Sequence, residues 1–273
     1  MIKKKRSSLI SLENILQAYN GPVIVIVGPT ASGKTGAAIS LAKKINGEVI
    51  SADSRAIYKY MDIGTAKPSV AEMDGVPHFG IDLVEPGERF TVADYKEYAE
   101  QKIFEIRSRG HVPIIAGGTG LYVDALVFDY KFDGLSKDEN HGTPKGNEKA
   151  GETKDRARMS EEFKVFGILW SAEELRERIT LREHKMYCPE LFEETKFLVS
   201  KYGWDSQAMK SNIYQFADKY LKGEITLDEA INQFILDDYH LAKRQVTWFK
   251  RNPEICWCPQ PEIVQKIISD IKF

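Results

Sequence analysis

Residues 22–28 read Pro-Val-Ile-Val-Ile-Val-Gly, an unbroken β-branched run without polar alternation. A strand with one wet face alternates, so this run predicts a strand buried on both faces of a parallel sheet. From 33 to 45 the period changes. Ala37, Ala38, Leu41, Ala42 and Ile45 recur at helical spacing, and Gly47 reads as the stop. Glu48–Ser51 predicts a second short strand. Thr91-Val-Ala-Asp94 has the wording of a capping box and opens a helix to about Arg109. Val112–Ala116 is another buried strand, running into Gly117-Gly-Thr-Gly120 and a further helix. Strands alternating with helices, with glycines at the strand ends, predict an α/β fold: a parallel sheet flanked by helices.

The pattern breaks at about Lys131. Across 131–160 the apolar residues are Phe132, Leu135, Ala150, Ala157 and Met159 alone. So little apolar surface cannot offset the entropy of ordering, and the segment is expected to be a polar flexible linker. Phe163–Trp170 predicts one more strand of the same sheet. Ser171-Ala-Glu-Glu174 and Thr226-Leu-Asp-Glu229 cap two later helices, the second running to about Phe249. From 171 onward the chain reads as nearly all helix, and no internal repeat has a fixed period. The expected organisation is an N-terminal amphipathic segment (1–20), an α/β core (21–130), the linker (131–160), and a last core strand with a C-terminal helical region (161–273).

Composition narrows the class. With 273 residues, 42% hydrophobic and 29% charged, the chain can bury a sizeable core. A net charge of -2 excludes a strongly basic nucleic-acid coat but not a local basic site. No apolar run approaches the roughly 20 residues of a membrane helix. Lys3-Lys-Lys-Arg6 is followed by Ser7, Ser8, Ser11, Glu13 and Asn14, too polar for a secretory signal, so a cytoplasmic protein without membrane contact is expected. The three cysteines, Cys188, Cys256 and Cys258, are odd in number. Cys256-Trp-Cys258 lacks the spacer of a zinc knuckle, and reduced thiols are expected.

Candidate chemistry centres on Gly28-Pro29-Thr30-Ala31-Ser32-Gly33-Lys34-Thr35. It matches G-x-x-x-x-G-K-[ST] directly between a predicted strand and a predicted helix, which makes the sheet P-loop NTPase-like. Glycines let the backbone wrap tightly, and successive N–H groups with the helix N-terminus point at one anion. Lys34 adds a point charge and Thr35 can hold Mg²⁺. The loop predicts a phosphate or diphosphate ligand without saying what carries it. The second strand ends Ile50-Ser-Ala-Asp53-Ser54-Arg55, the third at Thr119, and both ends lie on the edge of the sheet that forms the ligand crevice. Asp53 can bind Mg²⁺, act as a base, or cap a turn. Asp53, Thr119 and the phosphate loop are expected to converge on one pocket.

Further segments complete a pattern: Tyr58, Met61-Asp-Ile-Gly-Thr-Ala-Lys-Pro68, Gly75-Val-Pro-His78, Ile81-Asp82, Gly117-Gly-Thr-Gly-Leu-Tyr122 and Ala242-Lys-Arg-Gln-Val-Thr-Trp248. With the phosphate loop and Ile50–Ser54, in this order, they closely resemble the tRNA dimethylallyltransferase family. The likeness is dense over 20–130 and looser over 163–257, where Leu175, Arg178, Ile179, Arg182 and Met186 fit the family's spacing. The resemblance implies that Gly28–Thr35 holds the diphosphate of dimethylallyl diphosphate with Mg²⁺. It further implies that Asp53 is the base for the adenine N6 amine and that Thr119 is a second polar residue at the reacting centre. It implies tRNA contacts at Asp53, Ser54, Arg55, Ala56, Thr119, Lys243, Arg244 and Gln245, on a base flipped out of its loop. No stable protein partner is implied.

The chain departs from the family where RNA is gripped. The helical insertion after Gly-Gly-Thr-Gly is replaced by the polar segment 131–160. The usual Gln after the Asp-Ser-x triplet is Ala56, and the usual basic residue four positions before Lys243 is Tyr239. Asn212-Ile-Tyr214 stands for Ile-Gly-Tyr. Rival readings are an adenylate isopentenyltransferase using free AMP, a small-molecule kinase, and a nucleic-acid-binding remnant without turnover. His78 is expected to structure its loop, and Trp170, Trp204, Trp248 and Trp257 to fill core.

Overall fold

The computed structural model describes residues 18–132 and 158–271. The expected N-terminal segment lies outside these up to residue 17, and the expected linker lies outside them from 133 to 157.

Six strands form one sheet: β1 (Val23–Val27), β2 (Gly47–Ser51), β3 (His78–Phe79), β4 (Val112–Gly117), β5 (Phe163–Leu169) and β6 (Cys256–Pro259). Their order is β3-β2-β4-β1-β5-β6, and every pairing is parallel. The β-branched run is the central strand. β1 pairs with β4 from Ile24↔Ile114 to Val27↔Gly117 and with β5 from Val23↔Phe163 to Val27↔Gly167. All five of its residues are 0% exposed, each burial stabilising the fold by about 1.5–3 kcal/mol.

Side-chain alternation feeds two cores. Val23, Val25 and Val27 pack with Tyr95, Ala99, Ile103 and Ile106 of α3 (Val92–Ser108) and Tyr122, Val123 and Leu126 of α4 (Gly120–Val127). Ile24 and Ile26 pack on the opposite face with Ala38 and Leu41 of α1 (Lys34–Ile45) and Ile263 and Ile267 of α9 (Ile263–Asp270). A third core joins α6 (Pro189–Tyr202), α7 (Asn212–Leu221) and α8 (Leu227–Phe249) to Ile57, Tyr58 and Met61 of the loop after β2. The C-terminal helices therefore share a core with the α/β part. A short α2 (Val70–Met73) precedes β3, and α5 (Ala172–Met186) follows β5.

The capping boxes at Thr91/Asp94, Ser171/Glu174 and Thr226/Glu229 form as read. One expectation changes. The stop of α1 is Asn46, in the left-handed conformation at φ 55, while Gly47 already opens β2. The regular structure after 171 is helical, as expected, except that Cys256–Pro259 forms β6 along β5. The cysteine pair thus lies in an edge strand, with Cys256, Cys258 and Cys188 all free thiols. A fourth capping box, Ser69/Glu72, opens α2. Among the described residues no helix is long and apolar enough to cross a membrane.

Candidate active site

Because all strands run parallel, β1, β2 and β4 deliver their C-terminal loops to one edge. Gly28–Gly33 lies between β1 and α1, and Gly33 turns the chain into the helix at φ 87. The first-turn amides of a helix have no intrahelical acceptor, and no side chain caps those of α1. They form a donor cluster at the positive end of the helix dipole. The loop is braced from outside. Trp170 Nε1 donates to Ser32 O at 3.0 Å and Arg178 Nε to Ala31 O at 2.9 Å. The Arg178 guanidinium stacks over Trp170 at 4.4 Å.

Lys34 Nζ donates to Pro29 O at 2.7 Å. Burial lowers its pKa to about 8, the carboxylate of Asp53 opposes this, Arg182 adds to it, and Asp238 opposes it more weakly. Asp53 and Lys34 therefore share one electrostatic site, as the sequence led us to expect.

Asp53 also caps its own turn: Oδ1 accepts from Arg55 N at 2.8 Å and Ala56 N at 3.4 Å. The second oxygen, Oδ2, makes no hydrogen bond among the described residues. Thr119 locks the neighbouring loop, accepting from Ser54 N at 2.9 Å and donating to Ser54 Oγ at 3.2 Å. Thr119 N bonds Ala52 O at 3.1 Å. A fixed carboxylate, a hydroxyl pair and the phosphate loop thus lie at the same edge of the sheet.

The family model described as IPP transferase matches residues 56–161 and 139–252. The tRNA dimethylallyltransferase of Acetivibrio thermocellus is 39% identical over 302 residues, covering 92% of this chain and 96% of that protein. That of Staphylococcus saprophyticus is 36% identical over 297 residues, covering 91% and 94%. The chain belongs to the IPP transferase family. It is a prenyltransferase, as its curated relatives are. Among solved structures, the tRNA delta(2)-isopentenylpyrophosphate transferase of Staphylococcus epidermidis superposes with TM-score 0.77 at 32% identity, covering 92% of this chain and 99% of that one. The Bacillus halodurans tRNA isopentenylpyrophosphate transferase gives 0.77 at 33%, covering 92% and 95%.

Within this IPP transferase, α8 packs across these loops. Gln245 bridges two loops: its Oε1 accepts from Thr30 N at 2.7 Å and its Nε2 donates to Gly118 O at 3.0 Å. The helix comes so near that a Cβ at Gly118 would lie 2.4 Å from Gln245 Nε2, and one at Gly120 2.3 Å from Trp248 Cδ1. A side chain at either position would have to displace the Gln245 amide or the Trp248 indole. Trp248 Nε1 donates to Asp124 Oδ2 at 2.9 Å, and Trp248 packs in the core as expected.

The other expected RNA-facing residues separate. Lys243 and Arg244 are exposed. Lys243 lies over the Tyr239 ring at 4.4 Å rather than in the pocket. Arg55 reaches the carbonyls of Gln207 and Ala208 at 3.5 and 3.3 Å, bracing the turn before α7. Ala56 is 5% exposed, so its side chain is core and offers no surface to RNA. His78 Nδ1 is 2.8 Å from Val76 O, a loop-structuring bond as expected.

Sequence reasoning missed three acids. Asp238, two helical turns before Gln245 and so on the same face of α8, accepts from Thr30 Oγ1 at 3.2 Å. Arg182 joins Asp238 to Glu183, with its Nε and Nη2 on Glu183 Oε1 at 2.9 and 2.8 Å and Nη2 also on Asp238 Oδ2. Burial raises the pKa of both acids and Arg182 pulls each down. Glu194 accepts from the amides of Asp62, Ile63 and Gly64 at 2.9, 2.8 and 2.9 Å and from Tyr214 Oη at 2.7 Å. It thereby fixes the Met61–Pro68 loop, whose Lys67 Nζ reaches Asp62 and Asp82 at 2.8 and 2.6 Å.

Proposed function

We propose that the protein transfers a dimethylallyl group from dimethylallyl diphosphate to N6 of an adenine in tRNA, at position 37 beside the anticodon. The carrying observation is the pairing of Asp53, one oxygen tied and one free, with Lys34 of the phosphate loop. The N6 nitrogen attacks C1 of the dimethylallyl group while the C1–O bond breaks. The departing oxygen keeps the bond's electron pair, and the N6 proton passes to Asp53 Oδ2. Lys34 and the amides at the start of α1 meet the charge that grows on the leaving diphosphate. Thr119, held by Ser54, orients the amine.

The Thr35 hydroxyl stands exposed in the first turn of α1 and is a hard oxygen donor of the kind Mg²⁺ accepts alongside phosphate and water. Thr35 would be the protein's ligand to Mg²⁺, which would supply further neutralisation of the leaving group. Ser54, Lys243 and Arg244 are the proposed RNA contacts, and the buried Ala56 side chain is not among them.

The alignment with the Acetivibrio enzyme spans 302 residues, more than the 273 of this chain, so that relative holds residues this chain lacks. With the polar segment 131–160 standing where the family's helical insertion is expected, this makes the acceptor the point to test. Labelled dimethylallyl diphosphate is offered with tRNA or with AMP. Label in tRNA is expected. Label in AMP alone overturns the RNA acceptor, and label in neither, with diphosphate bound, overturns turnover.

A further inference from the structure

Asp53 follows the end of β2, and its two flanks are fixed by different parts of the fold. Upstream, Ala52 N donates to Ala116 O at 2.9 Å and Thr119 N to Ala52 O at 3.1 Å, while Thr119 Oγ1 accepts from Ser54 N at 2.9 Å. Strand β4 and the loop after it therefore hold the approach to Asp53. Downstream, Asp53 Oδ1 accepts from the amides of Arg55 and Ala56 at 2.8 and 3.4 Å. The direction of the free Oδ2 is thus set by where the backbone at 55 and 56 lies.

That backbone is tied down by its own side chain. Arg55 Nη1 donates to Ala208 O at 3.3 Å and to Gln207 O at 3.5 Å, across 153 and 152 positions of sequence. These carbonyls belong to the single helical turn Ala208–Lys210 and the residue that opens it, just before α7. The guanidinium also lies beside two phenols of the third core. Its charge opposes the rise that burial imposes on the pKa of Tyr58, and the rise that burial and Glu194 impose on that of Tyr214. Ala208 and Tyr214 are both 0% exposed, so the anchor point is itself packed. A planar guanidinium on two carbonyls fixes a direction as well as a charge.

We propose that Arg55 is a positioning residue for Asp53: it ties the turn after β2 to the start of α7 and so aims the free Asp53 oxygen at the acceptor amine. This rests on the reading of Asp53 as the base given above. Through Arg55 the helical region bears on the reaction without touching substrate.

The test is a double-mutant cycle on the full chain, read as the single-turnover rate with dimethylallyl diphosphate and tRNA, or AMP if only AMP takes the label. Arg55→Met keeps the aliphatic stem and removes the donors, and Arg55→Gln serves if Arg55→Met does not fold. A reacting group misplaced by about 1 Å costs on the order of 10²-fold. Arg55→Met is therefore expected to slow transfer by about ten- to hundredfold at saturating substrates, with tRNA affinity and its salt dependence as in the wild type. In an Asp53→Asn background the same substitution is expected to change the rate by less than about twofold, because the group it positions is gone. A residue that only supports the fold slows both backgrounds alike. One that contacts an RNA phosphate weakens tRNA binding and lowers the salt slope by about 0.7. Either result overturns the proposal, as does a wild-type rate in the folded Arg55 variants. A wild-type rate in Asp53→Asn, or no transfer by the wild type to either acceptor, overturns the reading of Asp53 as the base and this proposal with it.

Discussion

The carboxamide oxygen of Gln245 accepts the backbone N–H of Thr30 at 2.7 Å, tying the end of α8 to the first half of the phosphate loop. The same side chain donates to Gly118 O at 3.0 Å, one residue from Thr119. One amide therefore sets the spacing between the anion loop and the Thr119 loop. Gln245→Ala leaves a backbone donor and a backbone acceptor without partners. We expect it to lower stability by about 1–3 kcal/mol, read by urea denaturation, and to slow prenyl transfer in the folded fraction. Unchanged stability would mean that water replaces the bridge at no cost.

Lys34 links ligand binding to pH. Burial lowers its pKa to about 8 in the free protein, below its ordinary 10.5. A bound diphosphate favours the ammonium and raises that value again, so binding takes up a proton once the free protein has lost it. Affinity for dimethylallyl diphosphate, whose own phosphate ionisations lie lower, should be level below about pH 8 and fall above it by up to about tenfold per pH unit. Calorimetry in buffers of different ionisation heat should register the proton uptake above pH 8. The sign for stability is the reverse. The folded state loses its proton first, so burial of Lys34 costs less as pH rises from about 8 to 10.5.

Asp124 is a second titrating group, on α4. Burial lifts its pKa from 3.8 to about 6, against the hydrogen bond from Trp248 and the charge of Arg251. The folded value lies above the unfolded one. Its favourable contribution is therefore complete below pH 3.8 and is lost as pH rises through about 6. Asp124→Asn keeps an acceptor for Trp248 without the charge. It should raise stability at neutral pH by about 1–2 kcal/mol and remove the decline between pH 4 and 6 that Asp124 contributes. Thermal melts across that range check both, and a variant less stable than wild type at neutral pH would show that Asp124 is needed as a carboxylate.

The parts of this site that were legible in the sequence are those written in consecutive residues. A five-residue strand buried on both faces, a phosphate loop and three capping boxes are local patterns whose physics closes within a few residues. The bond from Asp238 to Thr30 spans 208 positions and that from Glu194 to Gly64 spans 130. An acid on a helix face looks like solvated surface until packing brings another segment against it. Strand β6 was missed for a related reason. Ile255–Cys258 is apolar but too short to be told from loop or helix by its pattern, and its pairing is supplied from one side by β5. Ala56 misled in the other direction. It stands in a motif position but points into the core, and a motif does not say which of its side chains face the ligand.

Single-turnover transfer by Asp53→Asn decides whether the free oxygen of Asp53 takes the proton from the acceptor amine, as proposed. The amide keeps the shape and an acceptor for Arg55 N and Ala56 N, but it cannot take the proton. With dimethylallyl diphosphate binding and the melting temperature measured on the same preparation, we predict a rate lower by about 10²–10⁴-fold and diphosphate affinity close to that of the wild type. A rate per folded molecule equal to wild type, with at most a loss of about 1 kcal/mol in stability, would contradict the account and leave Asp53 as the cap of its own turn.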